Sequence, residues 1–237
     1  MNDEIEIEIE IENIGLTSKT HLLGGVTYDG VGVCDADCWC HKHKGTLNNL
    51  VAYLCGPIDD AKDDGVGWRR TLTEDLNARF GVRVLDPTDK PFKSHNIKQY
   101  EEIGAEKINS LTLKENGQFA ELTDKMRDIV RTDLRMVDLS DFIITYLPKD
   151  VTLCGTIHEI VTATESKKPT LIVVEGGRKN ASNWLWGVLP TNPHEEHRSG
   201  WIFDSFESLM DYLGEVHAGN TPEPKTSRWV FMDLGSR

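Results

Sequence analysis

Two carboxylates and one phenol stand where this sequence passes between strands and helices. Glu159, in the run GTIHE, follows an apolar strand read over Asp141 to Leu147. It opens a helix whose apolar side is Ile157, Ile160, Val161 and Thr164, and this spacing puts Glu159 in the first turn, off the buried stripe. In an open parallel sheet, ligands bind beyond the carboxyl ends of the strands, so an acid there stands where ligands go. Asp133 falls on the apolar stripe (Leu122, Met126, Ile129, Val130, Val137) of a long helix read from Phe119 to Leu139. An acid among core positions is costly unless it is paired, with Arg131 or Arg135 nearby in sequence or with a basic residue across the core, or used. Tyr53 lies near the end of a strand, followed by Gly56 and Pro57. Two converging carboxylates suit cleavage of a glycosidic bond. One, ionised, attacks the anomeric carbon or stabilises its oxocarbenium-like transition state, while the other delivers a proton to the leaving group. A helix amino terminus favours the ionised state, and a tyrosine hydroxyl can orient the attacking group.

The elements that must position these groups follow from hydrophobic periodicity. Leu50 to Ile58 reads as a buried strand. Trp68, Leu72, Leu76 and Phe80 recur at four-residue steps, and Gly81 closes that helix as a left-handed cap. A second strand covers residues 82–87, completing a βαβ unit. Residues 88–118 are polar, with a short helix over Gln99 to Ile108, and their length suggests a lid or insertion. Pro169 stops the helix that carries Glu159, and Thr170 to Gly177 is a further buried strand. Residues 191–200 form a polar loop, and a last helix starts near Asp204, paired with Glu207 as a cap, and ends at Gly214. Alternating strands and helices with continuous apolar strands give an α/β fold with a doubly wound parallel sheet. Residues 1–48 form an irregular N-terminal extension and residues 49–237 the α/β domain.

Other chemistries compete. The extension begins with alternating Glu and Ile, an edge strand or a tail. It also contains Cys34, Cys38, Cys40, His41 and His43, zinc's preferred donor types but not in a finger spacing; the segment either holds zinc or packs as a loop. Cys154 with His158 invites a thiol-nucleophile reading, against the ordinary one of a buried cysteine. Arg69, after the glycine-rich loop, either reaches a phosphate or lies on the surface. Trp184 and Trp186 read as core or interface rather than base-stacking platforms.

Composition narrows the partners. The formal net charge is −13, with 39 acidic against 26 basic residues, which disfavours long nucleic acids. Five cysteines without framework spacing argue for reduced thiols, and no signal peptide or membrane span is read. The expectation is a cytoplasmic protein acting on a small molecule.

Three pieces in order carry a resemblance: YLCGP at Tyr53 to Pro57, Asp133 and Asp141 eight residues apart ahead of an apolar strand, and GTIHE at Gly155 to Glu159. Together they resemble the nucleoside 2-deoxyribosyltransferases and related nucleotide N-glycosidases, over about residues 50–190. The resemblance implies a flavodoxin-like fold and cleavage of the N-glycosidic bond of a 2′-deoxynucleoside or its 5′-monophosphate. The deoxyribosyl group passes through a glutamate ester to a second base; the alternatives are hydrolysis by water and a nucleotide-sensing module without catalysis. It implies Glu159 as nucleophile, Asp133 as the acid at the base and Tyr53 as the positioning hydroxyl. Gly56, Pro57, Arg69, Asp141, Gly155 and Thr156 become substrate-site residues. Asn183, in NWLWG, is similar to an asparagine that binds the sugar 5′-hydroxyl, often in a neighbouring subunit's site, so a homo-oligomer is implied. No cofactor or metal is needed by that mechanism. Many transferases carry a further aspartate shortly before the glycine of the Glu motif; this chain has Thr152, Leu153 and Cys154 there.

Overall fold

The computed structural model describes residues 45–58, 61, 63–90, 99–189 and 201–220, with the backbone alone for 99–106. The acidic alternating segment, the Cys/His segment, the loop 191–200 and the C-terminal RWVFMDL all lie outside the described residues.

Five strands form one sheet: β1 (Val51–Cys55), β2 (Arg83–Leu85), β3 (Phe142–Leu147), β4 (Thr170–Val174) and β5 (Ile202–Phe203). Their order is β2-β1-β3-β4-β5, and all four pairings are parallel. This is the flavodoxin-like order, in which the chain reverses its direction of winding between β1 and β3. Strands buried on both faces need no polar alternation, and β3 and β4 accordingly read FIITYL and TLIVV.

The helices cover both faces. Helices α1 (Val66–Phe80) and α6 (Phe206–Ala218) pack on one face, α3 (Phe119–Leu139), α4 (Cys154–Glu165) and α5 (Asn183–Val188) on the other, and α2 (Gln99–Glu115) precedes α3. The two-residue strand period sorts β1 between them. Ala52 and Leu54 join Leu72, Leu76 and Leu213, whereas Tyr53 and Cys55 join Met136, Ile160 and Ala163. Tyr53 and Cys55 thus share the face covered by the helix that carries Glu159.

Several boundaries differ from the sequence expectation. The helix expected to end near Ile108 runs to Glu115. β5 was not expected; it pairs with β4 through Ile202 and Phe203, too short a run to show a period. The last helix starts with a Ser205/Ser208 capping box rather than Asp204 and Glu207, because Asp204 binds the backbone and side chain of Arg178. It passes through Gly214 and ends at Gly219, whose φ of 75° is the left-handed cap.

Arg69 holds the carboxyl end of β1. It is fully buried, and its Nε, Nη1 and Nη2 donate to the carbonyls of Leu54 (3.2 Å), Gly65 (2.8 Å) and Gly56 (2.7 Å). Asp86 sits 3.6 Å from its Nε. The phosphate-facing or surface role expected for Arg69 is corrected: its nitrogens are occupied by backbone, and burial lowers its pKa. Gly65, at φ 69°, must be glycine, since a Cβ there would meet Arg69 Nη1 at 2.3 Å and the Pro57 carbonyl at 2.6 Å. Arg69→Met leaves three carbonyls and Asp86 without their partner. It is predicted to lower unfolding free energy by about 3–5 kcal/mol. Urea unfolding measures this; an unchanged midpoint would show that the guanidinium is not a structural tie.

Candidate active site

Glu159 reaches back from α4 to β1. The Tyr53 hydroxyl donates to its Oε1 at 2.7 Å, and the Cys55 thiol donates to its Oε2 at 2.9 Å. The helix begins at Cys154, so Glu159 lies in its second turn rather than its first. The buried residues of α4 are Thr156, Ile160 and Ala163, while Ile157 is exposed. That turns the expected apolar stripe by about one residue and sets Glu159 beside the inward face instead of off it.

Asp133, on α3, is partly buried, and its Oδ1 lies 3.3 Å from Lys90 Nζ. The candidate partners near it in sequence are engaged elsewhere, Arg131 with Asp128 and Arg135 with Asp138. The charge of Asp133 raises the pKa of both Tyr53 and Glu159, so the three groups share one electrostatic neighbourhood. Lys90 carried no sequence signal; it follows β2 in a polar stretch, and only the fold brings it to Asp133.

The protonation pattern follows from burial. Burial, then the Glu159 charge, pushes the Tyr53 phenol well above its usual range, so it stays a donor. Burial, again followed by Glu159, does the same to the Cys55 thiol. Burial also raises the Glu159 carboxyl; hydrogen bonds from Cys55 and Tyr53 and the Arg69 charge pull it back, while Asp133 raises it. Burial is the largest of these influences, and the net direction is upward.

The remaining site residues separate. Gly56 is buried at the turn after β1, and a Cβ there would meet Trp68 Cζ2 at 2.9 Å; Pro57 is buried beside it. Thr156 is buried, and its carbonyl lies 3.6 Å from Cys55 Sγ, while Gly155 is exposed on the first turn of α4. Asp141 does not join the site. Its Oδ2 accepts from the Val51 amide at 2.8 Å. Val51 opens β1 and Asp141 precedes β3, so this contact clips the strands at their amino ends. The substrate-site role for Asp141 is corrected: its carboxylate is taken by the Val51 amide at the amino ends of the strands, away from the Tyr53 and Cys55 contacts with Glu159. Asn183 is exposed as the first residue of α5, and Trp184 and Trp186 are exposed rather than core. Cys154 is exposed.

Cys55 was missed in the sequence, where a thiol in an apolar strand reads as a small hydrophobe. Its signal was the strand period: two residues after Tyr53, it faces the same layer. A cavity of about 340 Å³ opens nearby between α4 and α5, lined by residues such as Leu147, Ile157, Val161, Trp184 and Leu185. Tyr53, Asp133 and Glu159 do not line it, so this apolar hollow is not where the acids meet. Among the described residues no cluster of three or more His, Cys, Asp or Glu could hold a metal, and no helix is long and apolar enough to cross a membrane.

No family model matches the chain, and no curated protein does. Solved structures do resemble it. One is a "2-desoxiribosyltransferase from Leishmania mexicana", 18% identical, covering 71% of this chain and 99% of its own, with a TM-score of 0.43. A second is a 2-deoxyribosyltransferase from Bacillus psychrosaccharolyticus, 13% identical, covering 68% and 91%, with a TM-score of 0.42. A third is the CMP N-glycosidase of Clostridium botulinum, 14% identical, covering 69% and 97%, with a TM-score of 0.37. The likeness is one of fold. What the site does rests on its own geometry.

The raised carboxyl of Glu159 makes a prediction about stability. A folded-state pKa above the unfolded value of ~4.3 means that stability is fully present below that value and is lost as pH rises through the folded pKa. Glu159→Gln lacks this loss, so its Tm should gain on wild type as pH rises from about 4 to 7. Thermal melts across that range test it; a Tm difference that does not vary with pH would show that burial does not raise this carboxyl.

Proposed function

We propose that this protein cleaves the N-glycosidic bond of a 2′-deoxynucleoside or its 5′-monophosphate, with Glu159 as nucleophile. The observation that carries the reading is the Glu159 carboxylate held by the Tyr53 hydroxyl at 2.7 Å, at the carboxyl ends of β1 and β3 and within the field of Asp133. A single isolated acid at a helix start would carry no such reading. Here a phenol kept protonated by burial fixes one carboxylate oxygen, which orients the group for attack.

The reaction balances with these groups. A Glu159 oxygen gives an electron pair to C1′, and the C1′–N bond breaks with its pair leaving on the base. Asp133 acts here in its protonated form: it gives its proton to the departing nitrogen, is left as the carboxylate, and takes a proton back from the incoming base in the second half. The Lys90 ammonium, 3.3 Å from Asp133 Oδ1, stabilises the carboxylate left when that proton has gone. The second half reverses these steps with another base as acceptor, returning Glu159 free. No cofactor takes part, and the substrate is a small molecule rather than a long nucleic acid. Asn183, exposed at the start of α5, completes the sugar site of a neighbouring copy in a homo-oligomer.

Chromatography of the protein with a panel of deoxynucleosides and their 5′-monophosphates, with and without a free acceptor base, tests the reaction. The expected outcome is a new nucleoside formed only when the acceptor is present, lowered at least about 10³-fold in Glu159→Ala. Base release without acceptor would replace transfer by hydrolysis. No release from any substrate, with the variant indistinguishable from wild type, would remove Glu159 as nucleophile and leave a ligand-sensing module.

Subunit exchange tests the role of Asn183. Glu159→Ala and Asn183→Ala proteins, each impaired alone, should regain activity when mixed, because mixed assemblies carry a site with both native residues. Activity that stays at the sum of the two separate proteins would place Asn183 outside the neighbouring site.

A further inference from the structure

The Cys55 sulfur lies 2.9 Å from Glu159 Oε2 and is wholly buried. Sulfur and oxygen approach this closely only with a proton between them; a thiolate against a carboxylate would repel. The proton belongs to the sulfur, because burial raises the thiol and the neighbouring carboxylate raises it further. The sulfur has a second neighbour. Thr145, fully buried on β3, pairs in register with Cys55, and its hydroxyl makes no hydrogen bond of ordinary geometry. Its side chain pulls the thiol pKa down against burial.

The two Glu159 oxygens are consequently unequal. Oε1 takes a short bond from a phenol, a strong donor; Oε2 takes one from a thiol, a weak donor. We propose that Cys55 is a positioning residue for the nucleophile, backed by Thr145, and that it makes Oε2 the oxygen that attacks C1′. This rests on the reading of Glu159 as nucleophile. Held at both oxygens, the carboxylate cannot rotate about its terminal bond. The weaker donor leaves more electron density on Oε2 and is given up more easily as that oxygen bonds to carbon. Oε2 supplies the electron pair to C1′, and the base departs with the C1′–N pair and a proton from Asp133. Oε1 becomes the ester carbonyl, still accepting from Tyr53, and the thiol proton stays on sulfur throughout.

The test uses the full-length protein with Cys55→Ala, Cys55→Ser and Thr145→Val, each confirmed folded by thermal melting. In the wild type, the thiol bond lowers the Glu159 pKa, and attack needs the ionised form. Without the bond, the pKa rises and the acidic limb of the kcat–pH profile moves to higher pH. Cys55→Ala is expected to show that shift with kcat about 10- to 100-fold lower and KM little changed. Cys55→Ser, which keeps a donor, should return the limb toward the wild-type position. Thr145→Val keeps the shape of its side chain and should move the limb the same way as Cys55→Ala by less. Infrared difference spectra of wild type against Glu159→Gln give a readout independent of turnover, because the S–H band should shift when its charged carboxylate acceptor is replaced by an amide. Wild-type activity with Cys55→Ala matching it in kcat and acidic limb, or an S–H band indifferent to Glu159→Gln, would overturn the positioning role alone. A wild type that releases no base from any substrate would overturn the proposed reaction and this role with it.

Discussion

One guanidinium decides whether the carboxyl end of β1 keeps its shape. Strand β1 ends in Cys55-Gly56-Pro57, where the ladder stops and carbonyls must find donors inside the protein. Arg69 supplies three of them from the first turns of α1, to Leu54, Gly56 and Gly65. A buried cation is expensive to desolvate, and Asp86 with the carbonyl dipoles offsets that expense. Gly56 and Gly65 are both shaped around this side chain. With the turn fixed, Tyr53 and Cys55 point toward α4 at a fixed height, and only then can Glu159 find both at once.

Glu159 is unfavourable for the fold taken alone. Burial opposes its charge, and the two donors recover only part of that penalty. A sequence selected for stability alone would place an apolar residue beside Ile160 and Ala163. The acid, its phenol and its thiol form a small polar network inside an apolar layer, and such a network is stable only when its members are satisfied together.

Much of this was legible before any coordinates. The helix Phe119–Leu139 was read to its ends because its stripe is long and its flanks break sharply. Gly81 announced its left-handed cap, confirmed at φ 66°. Tyr53 and Glu159 were read from type and place, and the structure brings them into contact. What escaped reading did so for physical reasons. Cys55 looks like core in any hydrophobicity pattern. Lys90 reaches Asp133 only through tertiary proximity. Arg69 reads as a surface or phosphate residue because sequence does not reveal which carbonyls lack donors. Asp141 matched a motif, yet its carboxylate is spent on the Val51 amide at the other end of the strands. Ile202–Phe203 is too short to display a period at all.

The contact between Tyr53 and Glu159 joins residues 106 positions apart. No segment of the nascent chain can rehearse this contact locally, since β1 must wait for β3 and α4 to be made. At synthesis rates of about 5–20 residues per second, that wait is on the order of 5–20 s. During it, β1 has β2 to pair with on one edge, while the backbone donors and acceptors of the other edge wait for β3. Non-local parallel pairing is slow to close, so the centre of the sheet, rather than its rim, sets the pace of folding. The same separation means that a fragment ending before α4 lacks the acceptor of this contact. In such a chain the Tyr53 hydroxyl and the Cys55 thiol lack the carboxylate they share.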